Sequence, residues 1–110
     1  MTANNEEIWK DVKTRQFAEV LLSIASLSDM QGFLRDVMTE KELVEISSRL
    51  EAAKMLKAGK KYTDIVAETK LSSRTVARIS DWLQNGTGGY LTALESIEAH
   101  HAHIPPARAE

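Results

Sequence analysis

Apolar residues along this chain recur every three to four positions and nowhere alternate as a half-buried strand requires, so helices are the elements open to it. Both prolines, Pro105 and Pro106, stand in the last six residues, and only five glycines occur in the 110. Little therefore interrupts helices upstream of the end. The expected fold class is all-α, in one domain's length of chain. A core this small commonly gains from a partner.

The best-defined element opens at Thr39. Thr39-Glu40-Lys41-Glu42 has the form of a capping box, with Met38 and Leu43 spaced for a hydrophobic staple. Leu43, Ile46, Leu50, Ala53 and Leu56 then mark one apolar face, and Gly59 falls where a helix ends on glycine. Upstream, Glu6 to Leu27 reads as a single long amphipathic helix. Phe17, Val20, Leu21, Ile24 and Leu27 share one face, and Trp9, Ala18, Leu22 and Ala25 widen the stripe. A stripe that wide calls for burial on two sides. Ser28-Asp29 is the expected start of a short helix from Met30 to about Val37. Downstream, the spacing predicts a short helix from Thr63 or Asp64 to Thr69, and a second from a Ser72 cap to about Leu83 or Gln84. A joint at Thr87–Gly89 leads to a last helix, Tyr90 to about Ala99, with Leu91, Leu94 and Ile97 inward. Residues 1–99 are thus expected to form the folded domain, and 100–110 a disordered tail.

Cysteine is absent, which rules out disulfides and thiolate metal or redox centres. The polar, acidic start of the chain carries no apolar signal segment, and no apolar run approaches the ~20 residues of a membrane span. A cytoplasmic location is expected. The net charge of −2 is unevenly spread. From Lys54 to Arg78 there are seven basic residues (Lys54, Lys57, Lys60, Lys61, Lys70, Arg74 and Arg78) against Asp64 and Glu68. A local basic block in an acidic chain is the footprint of an anion-binding face.

That block coincides with two short helices around a turn, over about 63–84. Ile65, Val66, Leu71, Val76 and Ile79 are placed to point inward, leaving Ser73, Arg74, Ala77 and Arg78 outward. The chemistry is that of a helix-turn-helix. Free N–H groups at the start of the second helix suit a phosphate. Small side chains let that helix enter a major groove about 12 Å wide. Arg74 and Arg78, four apart, share one face and each fits the guanine O6/N7 edge or a phosphate. The expected DNA-contacting set is Lys60, Lys61, Lys70, Ser72, Ser73, Arg74, Thr75, Ala77 and Arg78, the lysines on the backbone of double-stranded DNA. Two positions depart from the usual motif. Lys70 stands where the turn commonly has glycine, and Val66 where the first helix commonly has a small residue. The competing reading is a protein-interaction module whose basic helical face docks on an acidic partner.

Met38 to Leu83 resembles the Trp repressor family, and within it the YerC/YecD-type branch. The resemblance is carried by Thr39-Glu40-Lys41-Glu42, by Ser48 to Leu56 with Gly59, by Tyr62-Thr63-Asp64-Ile65 and by Ser72 to Ile79. It implies a six-helix subunit in an intertwined homodimer that acts as a transcriptional regulator, with recognition helices ~34 Å apart and hence a roughly palindromic operator. It also implies a tryptophan-type corepressor site, whose two arginines fall on Arg49 and Arg78 and whose threonine falls on Thr39. This chain has Ile79 and Trp82 where the founding member has glycine and serine. Both add bulk where an indole would lie, so the expectation is a repressor without free tryptophan or any other cofactor.

Enzymatic chemistry is not expected: Ser and Thr are scattered, with no His near them in sequence. His100, His101 and His103 with Glu98 read as a solvated tail, and no metal site is expected.

Overall fold

The computed structural model describes residues 6–102, every element of which is helical. After a single helical turn over 6–8, six helices follow: α1 Val12–Ser23, α2 Leu27–Val37, α3 Glu40–Lys57, α4 Tyr62–Thr69, α5 Ser73–Asn85 and α6 Gly89–Ala102. The chain divides into two compact units, meeting within α3 at Ser48 and Arg49.

In the first unit the long helix expected over Glu6–Leu27 is interrupted twice, by capping residues. Asp11 is extended (φ −70°, ψ 127°), and its carboxylate accepts from the Lys13 N–H to start α1. The Thr14 hydroxyl lies against the Ile8 and Asp11 carbonyls, closing that corner. At the other end Ile24 is extended, and Ser26 accepts from the Asp29 N–H at 3.0 Å. The start of α2 is therefore Leu27, three residues before the expected Met30, and its cap is Ser26 rather than Ser28-Asp29. Ser26 and Asp29 stand at capping-box spacing, a local signal that outweighs continuity of the apolar stripe. Phe17 of α1 and Phe33 of α2 pack with ring centres 6.2 Å apart. Arg35 donates to the Met38 carbonyl at 3.1 Å, closing the end of α2.

The expected capping box forms at α3. The Thr39 N–H donates to the Glu42 carboxylate at 2.9 Å, and the Glu42 N–H donates to the Thr39 hydroxyl at 3.1 Å. Gly59, at φ +84°, ends the helix. The Lys60 N–H reaches the Met55 carbonyl and the Gly59 N–H the Leu56 carbonyl, both at 3.0 Å, the paired bonds of a Schellman turn.

The core lies in the second unit. Ala52, Ala53 and Met55 of α3, Ile65 of α4, Val76 and Ile79 of α5 and Leu94 of α6 are buried together. Leu56, Val66, Leu71, Leu83 and Tyr90 pack around them. Thus only the C-terminal half of α3 is buried. Ile46 and Leu50, expected on its inward face, remain exposed in the single chain. Of the three residues expected inward on α6, Leu94 is buried, Leu91 is half-buried and Ile97 is exposed. Lys57 at the end of α3 pairs with Glu98 of α6 at 3.3 Å. That last helix runs on to Ala102, three residues past the expected boundary. His103 and the rest of the expected tail lie outside the described residues.

Candidate nucleic-acid interface

The candidate interface comprises α4, the turn Lys70–Ser72, and α5. The turn is fixed from inside by Thr69. Its hydroxyl is buried, donates to the Ile65 carbonyl at 2.7 Å and accepts from the Leu71 N–H at 3.3 Å. One side chain thereby closes α4 and orients the next residue. Sequence reasoning did not single out Thr69, although a threonine at a helix-to-turn boundary is the available signal. Leu71 is half-buried against the core, as expected of a plug in the turn. Lys70 between them is left-handed, at φ 65° and ψ 12°, and its N–H bonds the Val66 carbonyl at 2.9 Å.

Ser72 starts α5 as expected. Its side chain accepts from the Thr75 N–H at 3.1 Å and its hydroxyl donates to Thr75 Oγ1 at 3.0 Å. The Ser72 and Thr75 hydroxyls are thus engaged in forming the helix start. Val76 and Ile79 have no exposed surface and clamp α5 onto the core. The remaining face is turned outward: Ser73, Arg74, Ala77 and Arg78 are all exposed. At the far end a β-carbon on Gly86 would lie 2.5 Å from the Trp82 carbonyl, so glycine is required where the chain leaves α5. Lys60, Lys61 and Lys70 are exposed at the two ends of α4. Helix α4 begins at Tyr62, one residue before the expected Thr63, with Lys61 at the capping position and no side-chain cap bond.

The three residues implied as corepressor ligands are differently placed. The Thr39 hydroxyl is committed to the capping box of the first unit. Arg49 is half-buried and Arg78 exposed in the second. Arg49 acts electrostatically on Tyr90, which sequence reasoning did not single out. Burial raises the Tyr90 phenol pKa above its ordinary value, and the Arg49 charge opposes that shift. Ile79 is part of the core, whereas Trp82 is 43% exposed. Among the described residues no group of His, Asp and Glu is placed to hold a metal ion, and no helix is long and apolar enough to cross a membrane.

Two short helices around a tight turn, the second clamped by its inner face and cationic on its outer face, define a helix-turn-helix protein of the DNA-binding regulator class. The comparisons place it within that class. Residues 12–98 match the family model described as Trp repressor protein. The chain is 32% identical to the uncharacterized protein YerC of Bacillus subtilis over 83 residues, 76% of this chain and 80% of that one. A TrpR-like protein from Eubacterium eligens superposes with a TM-score of 0.78 at 32% identity, over 84% of this chain and 95% of its own. A crystal structure of a putative Trp repressor from Staphylococcus aureus gives a TM-score of 0.77 at 27% identity, over 84% and 92%. The chain belongs to the Trp repressor family, on its YerC-related side.

Proposed function

We propose that the protein binds specific sequences of double-stranded DNA as a homodimer, acts as a transcriptional repressor, and does so without free tryptophan. The observation that carries the proposal is the outward face of α5. Arg74, Ala77 and Arg78 are exposed on a helix whose opposite side, Val76 and Ile79, is locked in the core. A helix so held can present fixed donors to base edges, which is what direct readout requires.

The dimer is supported by the first unit. None of residues 6–48 is buried in the single chain, although Val12, Phe17, Val20, Leu22, Val44 and Ile46 are all exposed there. An open hollow of about 400 Å³, lined by Phe17, Val37, Met38, Glu42 and Ile46, lies among them. Apolar surface left this open on a folded unit is characteristic of an interface. A second copy offers the matching apolar face, and closed twofold pairing satisfies both.

Selecting bound duplexes from a random DNA pool tests the reading. Enrichment of two inverted half-sites about one helical turn apart, ~34 Å, is the expected result. Absence of any enriched sequence would refute specific readout. Titrating L-tryptophan into the protein by calorimetry tests the remaining clause. No micromolar site is expected, because Ile79 and Trp82 add bulk in place of glycine and serine; one such site per subunit would overturn it.

A further inference from the structure

Among the described residues, Lys70 is the one residue other than glycine with a positive φ. The left-handed region crowds any β-carbon against its own backbone, and glycine is the residue that adopts it freely. Nothing in the turn itself requires a side chain here. The bond that closes α4 comes from the Lys70 backbone, to the Val66 carbonyl, and glycine would make it equally. The buried fastening of the turn belongs to Thr69. The Lys70 ammonium donates to the Ala67 carbonyl at 3.3 Å, an exposed contact for which water competes. Relative to glycine, lysine therefore adds a mobile positive charge and costs backbone strain.

Lys70 stands in the turn, two residues before the Ser72 cap of α5, the helix that carries Arg74 and Arg78. We propose that Lys70 is a phosphate-binding residue retained at the expense of fold stability: the turn holds a lysine in a glycine conformation to deliver an ammonium group to the DNA backbone next to the recognition helix. The proposal rests on the DNA-binding reading above and deepens it: the backbone contact expected of Lys70 is held at a cost to the fold. Lys70 positions the protein without reading sequence, since an ammonium on a flexible stem recognises phosphate by charge alone.

Lys70→Gly and Lys70→Arg, compared with the unchanged protein at fixed concentration, test this. Lys70→Gly relieves the left-handed strain and is expected to raise the folding equilibrium constant by about fivefold. The same variant is expected to weaken every duplex alike, by about fivefold per subunit at 0.15 M salt. The slope of log K against log salt should fall by about 0.9 per subunit. Lys70→Arg keeps the charge and is expected to keep both the slope and the stability of the unchanged protein. Destabilisation by Lys70→Gly would show that the side chain serves the fold, and would overturn the proposal. So would an unchanged salt slope in a protein that binds DNA. If the unchanged protein itself shows no salt-dependent duplex binding, the DNA-binding reading falls, and this inference with it.

Discussion

At the scale of single residues, side chains of like charge on the interface have different work to do. Arg74 is exposed on a clamped helix, and its planar fork suits a guanine edge. Arg74→Ala is expected to cost ~1–3 kcal/mol on the preferred duplex and to flatten sequence preference. Lys61, exposed at the entry to α4, is proposed as a contact to the DNA backbone, and on that reading Lys61→Ala should weaken all duplexes equally. Competition binding against specific and scrambled duplexes separates the two. Tyr90 carries a different consequence. Burial raises its phenol pKa, with Arg49 opposing, so the folded state holds this proton to higher pH than the unfolded chain does. Its stabilising contribution is therefore full below the unfolded value of about 10 and is lost as pH rises through the higher folded value. Denaturation midpoints measured from pH 8 to 11 should fall at the alkaline end, and Tyr90→Phe should reduce that fall.

At the scale of elements, the helix-turn-helix depends on how each helix is started and stopped. Thr69 is buried and its hydroxyl serves both the Ile65 carbonyl and the Leu71 N–H. Thr69→Val keeps the shape but leaves the part-buried Leu71 N–H without this acceptor, at a cost of about 1 kcal/mol by urea denaturation. Caps also explain how far the elements were legible in the sequence. The box at Thr39 and Glu42, the Gly59 stop and the Ser72 cap are each local chemistry within six residues, and all form as read. The error over Glu6–Leu27 came from following apolar spacing through Asp11 and Ser26, two residues that hold extended backbone and bond forward. Periodicity identifies the face of a helix but not its ends, which are set by which side chain satisfies the free N–H groups. Thr69 was missed because its role depends on burial, and burial is not a local property.

At the scale of the whole molecule, the two units differ in how complete they are. The second has a core of seven apolar side chains drawn from four helices. The first has no buried residue among those described, and leaves Phe17, Leu22 and Ile46 exposed. If a second copy covers this surface, Ile46→Glu replaces an apolar lining residue with a second carboxylate, beside Glu42, in the hollow of each subunit. Two copies then lose the burial of an isoleucine, roughly 3 kcal/mol or more for the pair. Sedimentation equilibrium should show the mass shifting to the monomer, with loss of tight binding to paired half-sites. A variant that stays dimeric would place the interface elsewhere.

By itself the order of amino acids determined what is decided within a turn or two of chain. It set the helical class through apolar spacing and absent strand alternation, the capped ends of α3 and α5, and the basic block from Lys54 to Arg78. Only the tertiary structure decided which apolar residues are covered. It buried Ile79 and left Ile46 open, committed the Thr69 hydroxyl to the turn, and forced Lys70 into a left-handed conformation. The physical reason is range: capping and helical periodicity act over a few residues, whereas burial depends on which distant segments pack together.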